Sequence, residues 1–248
     1  MCQLLGVSSN KEVDIQFSLK EFKERGEKNP HGFGFVFYED GNPKLIKEPS
    51  SLKNEDIEKE DYKFKSKIII GHVRLASCGG QSHKNTHPFV IKNWSFAYNG
   101  TVRKIKNLDL KKFKPQGETD SECAFCYLLD KIYEEEDVKK MIRIIEDEAL
   151  RIKKLGRFNF LLSNGKYLFV FGDDSLYFAK RQSPFQEVTL KDVGYHLHLK
   201  EIKYPDEKAI IIATEPLTKE ERWQKIDGLK LFKDGEEIEL NNYALRNF

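Results

Sequence analysis

Asp40-Gly41, Asn99-Gly100, Asn164-Gly165 and Asp234-Gly235 each stand where a short apolar segment stops. Asx-Gly pairs favour two-residue hairpin turns, because both central positions need positive φ, and such turns make the flanking strands antiparallel. The segments they punctuate are strand-sized: Gln3–Val7, Gly34–Tyr38, Pro43–Lys47, Lys67–Arg74, Trp94–Tyr98, Phe158–Ser163, Tyr167–Gly172, Leu176–Lys180, Tyr195–Leu199, Lys208–Thr214, Leu229–Phe232 and Glu237–Leu240. Asn99-Gly100 reads as a turn that closes the Trp94 strand.

Helical periodicity is confined to three stretches. Asp14–Arg25 places Ile15, Phe17, Leu19 and Phe22 in a loosely amphipathic helix that stops near Gly26. Thr119–Tyr133 opens on Thr119-x-x-Glu122, a capping box, and Asp137–Lys154 is a further helix with apolar Val138, Met141, Ile142, Ile145, Ala149, Leu150 and Ile152. Hairpin-linked strands with helices outside them imply an α+β layered domain with antiparallel sheets. No repeat, low-complexity linker or domain boundary interrupts the chain, so residues 1–248 read as one domain.

The 42 basic and 40 acidic side chains leave a net charge of +2. They are spread along the chain, which argues against a nucleic-acid binder. The longest apolar runs, at Ile68–Ile70 and Ile210–Ala213, are far too short to span a membrane. The N-terminus lacks the basic start and apolar stretch of a signal peptide. A cytoplasmic protein is therefore expected.

In that compartment the four cysteines, Cys2, Cys78, Cys123 and Cys126, should be free thiols. Cys123-x-x-Cys126 lies in an apolar segment with no second ligand pair, so core packing is expected. His72 and His87, and His196-x-His198, could each be ligand pairs. Neither has a carboxylate or cysteine at ligand spacing in the sequence, so structural roles and no metal are expected. In His31-Gly32-Phe33-Gly34 the glycines read as positions of close backbone packing near Cys2.

Cys2 has two readings. It can open a buried strand, or it can become the first residue once Met1 is removed. An α-amine titrates at roughly 7.7–8.0 and a thiol near 8.5, so the amine of the same residue can take the thiol proton. Asn99 and Gly100 could serve as a turn or as paired donors to an oxyanion. Arg74, ending an apolar strand, is either a surface charge or a bidentate clamp for a carboxylate. Asp120 sits comfortably in the first turn of a helix and could also meet an ammonium group.

Together, Met1-Cys2, Gly71-His72-Val73-Arg74-Leu75-Ala76-Ser77, Thr86-His87-Pro88-Phe89, Ala97-Tyr98-Asn99-Gly100 and Glu118-Thr119-Asp120-Ser121-Glu122 resemble the class II glutamine amidotransferases, the N-terminal nucleophile family. Asn29-Pro30-His31-Gly32-Phe33-Gly34-Phe35, Phe158-Asn159-Phe160-Leu161-Leu162-Ser163 and Ala213-Thr214-Glu215-Pro216-Leu217 are similar to its stand-alone YafJ-type branch. The resemblance covers essentially the whole chain.

It implies a four-layer αββα sandwich, two antiparallel sheets between helices. It also implies Cys2 as nucleophile, Asn99 and Gly100 as the oxyanion hole, and Arg74, Ser77 and Asp120 as contacts for the substrate head group. The implied reaction is hydrolysis of the glutamine side-chain amide through a γ-glutamyl thioester, with no cofactor. Cys78 stands where many relatives carry a histidine or another large polar residue, which bears on pocket closure. With no room for a fused synthase domain, ammonia would pass to a separate partner enzyme. Two alternatives remain: hydrolysis of a γ-glutamyl peptide such as glutathione, and a non-catalytic glutamine-sensing or scaffold subunit.

Overall fold

The computed structural model describes residues 1–102 and 104–239. In chain order these form β1 (Gln3–Val13), α1 (Gln16–Arg25), β2 (Phe33–Glu39), β3 (Asn42–Glu48), β4 (Ser66–Val73), β5 (Phe89–Ile91), β6 (Trp94–Val102), α2 (Asp120–Ile132), α3 (Val138–Lys153), β7 (Gly156–Ser163), β8 (Leu168–Gly172), β9 (Tyr177–Gln182), β10 (Glu187–Thr189), β11 (His196–His198), α4 (Leu199–Ile202), β12 (Lys208–Ala213), β13 (Gln224–Lys225), β14 (Gly228–Lys233) and β15 (Glu236–Ile238). One sheet runs β13-β9-β12-β1-β4-β2-β3 and the other β15-β14-β8-β7-β6-β5, while β10 and β11 pair separately. All the named strand pairs are antiparallel.

Period-two alternation explains the layering, because successive side chains leave opposite faces of a strand. Leu4, Ile70, Ile210 and Ile212 from the first sheet meet Ala97, Leu161, Leu168 and Val170 from the second in a core between the sheets. Their neighbours Leu5, Val7, Ile69, Ile211 and Ala213 point the other way, to a core that includes Leu19 and Phe22 of α1. Phe96, Phe158, Phe160, Leu162, Phe169 and Phe171 likewise leave the second sheet outward, against Phe125 and Leu128 of α2 and Ile145 and Ala149 of α3. The result is the expected αββα sandwich, with a thin outer layer on the α1 side.

Several expectations change in detail. Asn99-Gly100 makes no turn: β6 runs on through Val102, and Asn99 and Gly100 pair with Asn159 and Phe158 of β7. Asp40-Gly41 does turn, with φ of 49° and 77°. β1 extends to Val13, well past the expected Val7. The capping box is half formed. Thr119 Oγ1 accepts from Glu122 N at 3.2 Å, but the Glu122 carboxylate accepts from Gln116 N (2.9 Å) and Gly117 N (2.6 Å) and so holds the preceding loop. Leu240, placed in the last expected strand, lies outside the described residues. Among the described residues no helix is long and apolar enough to cross a membrane.

Candidate active site

Strand register brings the first two site residues together. β1 and β4 pair with Gln3 opposite Val73, so Cys2 and Arg74, each one residue beyond, emerge side by side at one edge of the sandwich. The second sheet supplies Asn99 and Gly100 near the end of β6, and α2 supplies Asp120 in its first turn. The sheets are tied at this point by Asn99 Nδ2, which donates to the Cys2 carbonyl at 2.7 Å. Cys2, Arg74, Ser77, Cys78, His87, Tyr98, Gly100 and Asp120 are among the residues lining one small cleft.

Within the cleft the Cys2 thiol is held by one residue. Its S–H donates to Leu75 O at 3.3 Å, and Leu75 N–H donates to the sulfur at 3.2 Å. Burial pushes the thiol pKa above its ordinary value, opposed by the Leu75 bond, the chain's terminal ammonium and Arg74. The protonated form is therefore favoured at neutral pH, and a base is needed to make a nucleophile of it.

Arg74 is 2% exposed and belongs to none of the ion pairs among the described residues. Its guanidinium donates to Cys78 O (2.8 Å), Gly79 O (3.1 Å) and Gly80 O (3.3 Å), so it shapes the loop after β4 while keeping its charge beside the cleft. A buried cation with only neutral partners favours an anionic group brought by a ligand. Ser77 is exposed on the same loop. Asp120 Oδ2 accepts from Val102 N at 2.8 Å and lies 3.5 Å from the Tyr98 hydroxyl, which also reaches Arg157 O at 3.1 Å.

Gly100 has no room for a side chain. A Cβ there would sit 2.0 Å from Arg157 O, and its φ is +158°. The glycines of Gly32-Phe33-Gly34 serve close packing too, against the Thr86–His87 segment: a Cβ would meet Thr86 Oγ1 at 2.8 Å and His87 O at 2.6 Å. His31 joins the site indirectly, its Nδ1 accepting from Ala76 N at 3.0 Å.

His72 and His87 are buried, and their rings meet edge to face with centroids 4.2 Å apart. Burial drives the His72 pKa down to about 3 and His87 well below its usual value, so both are neutral at physiological pH. Cys123 and Cys126 face the core on α2, where burial raises both thiols, Cys126 to about 12. No carboxylate stands at ligand spacing from His196 and His198 in the sequence, but in the structure Glu187 lies across the strand pair from them.

Sequence reasoning gave Asn159 no role of its own. This fully buried amide donates to Asn99 O (3.1 Å) and Asp174 Oδ1 (2.8 Å), while its Oδ1 faces the N–H groups of Asp173 (2.9 Å), Asp174 (3.1 Å) and Ser175 (3.3 Å). The available signal was an amide inside the apolar run Phe158–Leu162, since a buried polar side chain must find partners. Asn159→Ala strands several backbone groups at once, the buried Asn99 carbonyl and three partly buried N–H groups. It is expected to lower Tm by roughly 5–10 °C, read by thermal denaturation. An unchanged Tm would mean that this hub does not hold the β8–β9 loop against β7.

Comparisons with known proteins agree with this architecture. Residues 1–246 match the family described as glutamine amidotransferases class-II. The chain is 42% identical over 260 residues to MJ1515 of Methanocaldococcus jannaschii, covering 97% of this chain and 72% of that protein. It is 37% identical over 240 residues to YafJ of Escherichia coli, covering 91% and 94%. A crystal structure described as a predicted glutamine amidotransferase from Pseudomonas aeruginosa superimposes with a TM-score of 0.70 at 27% identity, over 96% of this chain and all of that one. The glutamine phosphoribosylpyrophosphate amidotransferase of Bacillus subtilis shares the fold at 15% identity, with a TM-score of 0.58 over 96% of this chain and 48% of its own. With its sandwich, its cleft and these relatives in agreement, the chain belongs to the class II glutamine amidotransferases.

Proposed function

We propose that this chain is a single-domain, cytoplasmic glutaminase in which Cys2, freed of Met1, attacks the side-chain amide of glutamine. The observation that carries this reading is the convergence of a thiol, a buried arginine without an acidic partner and a helix-borne carboxylate on one cleft. In this reading Arg74 and Ser77 take the α-carboxylate and Asp120 the α-ammonium. That orientation sends the side-chain amide toward Cys2.

The Cys2 amine takes the thiol proton as sulfur bonds to the amide carbon. The oxygen, now negative, is met by Asn99 Nδ2 and Gly100 N–H. The proton then passes to the leaving nitrogen, ammonia departs, and a γ-glutamyl thioester remains. Water, losing a proton to the same amine, adds to the thioester. The C–S bond breaks, and glutamate leaves. Ammonia would then serve a separate acceptor enzyme.

Release of glutamate and ammonia from glutamine, measured beside glutathione and against Cys2→Ala, tests the reading. Turnover of glutathione alone would move the activity to γ-glutamyl peptides. Binding without turnover of either would make the chain a glutamine sensor.

The clamp has its own test. Arg74→Lys retains charge but loses the planar fork and its three carbonyl bonds, so KM for glutamine is expected to rise on the order of 10-fold or more. An unchanged KM would remove Arg74 from the head-group site.

A further inference from the structure

We propose that Glu187, His196 and His198 form a surface site for a divalent transition metal of the zinc type. The register of the small β10–β11 sheet creates it. Glu187 lies opposite His198, Val188 opposite Leu197, and Thr189 opposite His196. Val188 is fully buried, so alternation along each strand turns Glu187, Thr189, His196 and His198 together toward solvent.

The donor atoms already have ligand spacing. Glu187 Oε1 is 2.9 Å from His198 Nδ1, and Glu187 Oε2 is 3.5 Å from His196 Nε2. One donor atom from each of the three residues lies within 4.8 Å of the others. Ligands about 2.0–2.1 Å from a tetrahedral ion are separated from one another by about 3.4 Å, so small side-chain movements would admit the metal. The two rings are nearly perpendicular, at 86°, with centroids 5.1 Å apart; they converge on the carboxylate rather than stack.

Supporting contacts surround this triad. The Thr189 hydroxyl lies 3.2 Å from His196 Nδ1, which leaves Nε2 as the free donor and fixes the ring, the outer arrangement usual for metal-binding histidines. Glu220 accepts from Thr189 N at 2.6 Å and adds a second carboxylate to the neighbourhood. Two imidazole nitrogens and a carboxylate suit zinc better than calcium or magnesium, which prefer oxygen ligands. A two-stranded sheet is marginal alone, so an ion bridging its strands would pin the hairpin in place.

The test uses the full chain without a histidine tag, stripped with chelator, and titrated with zinc chloride by calorimetry. The wild type should bind one equivalent that is lost, or weakened about tenfold or more, in His198→Ala and in the His196→Ala/His198→Ala double variant. Cobalt(II) substitution separates this site from the cysteine-lined cleft. An N/O site gives visible d–d bands without the near-ultraviolet thiolate charge-transfer band. Thermal denaturation with and without zinc should show a stabilisation that the double variant loses while keeping the wild-type metal-free Tm. Absence of zinc binding, an equivalent of zinc retained by the double variant, or a thiolate band from the only bound cobalt would overturn the proposal.

Discussion

Asn99→Ala is expected to lower kcat for glutamine by about 10²–10³ while moving Tm by only a few degrees. A side-chain amide carries two donor hydrogens. In the structure Nδ2 gives one to the Cys2 carbonyl at 2.7 Å, which fixes Cys2 against β6. The other would serve the oxyanion. Alanine removes both, so the loss should fall on kcat far more than on KM, because the head-group contacts proposed for Arg74 and Asp120 are untouched. Steady-state kinetics with a thermal melt of the same preparation decides the matter. A kcat within a few-fold of wild type, at unchanged Tm, would leave Asn99 as a strand residue and remove it from the oxyanion hole.

That residue also shows where the sequence stopped being legible. An Asn-Gly pair after an apolar strand satisfies every local rule for a hairpin, and Asp40-Gly41 obeys them. At Asn99-Gly100 the outcome is set by residues about sixty positions later. Asn159 and Phe158 pair with the dipeptide, and Arg157 O leaves no space for a Cβ at residue 100. Glycine is needed there for close approach, not for turning. No local propensity carries that information, whereas β7 was readable as a strand-sized apolar run because both of its faces are buried.

The same limit applies to the side chains around the site. The spacing of apolar segments placed β1 and β4, but only their register, Gln3 against Val73, puts Cys2 next to Arg74. Charge type suggested a carboxylate clamp at Arg74; its three bonds to carbonyls of the following loop follow from a tertiary turn. Glu187 and the two histidines across from it are far enough apart in sequence to match no ligand spacing. A short antiparallel pairing makes them neighbours. What local patterns encode is the strand and its faces. Partners across strands come from topology.

Retention of Met1 is expected to abolish turnover while leaving glutamine binding in place. The buried thiol is pushed toward its protonated form, so attack depends on a base, and within this mechanism that base is the α-amine of Cys2. With Met1 attached, the nitrogen is part of a peptide bond and has no useful basicity. Obstruction is not the reason. The Met1 side chain is half exposed and turned toward Arg157 and Ser175, away from the residues that line the cleft. The head-group contacts proposed for Arg74, Ser77 and Asp120 therefore stay open, and binding and chemistry should separate cleanly. A chain carrying an uncleavable N-terminal extension should bind glutamine by calorimetry with affinity near that of the processed chain, and release no glutamate. Mass spectrometry of the active preparation should show the loss of one methionine. Full turnover by an extended chain would refute the amine as base even if Cys2→Ala were inactive, and the thiol proton would then have to leave by another route.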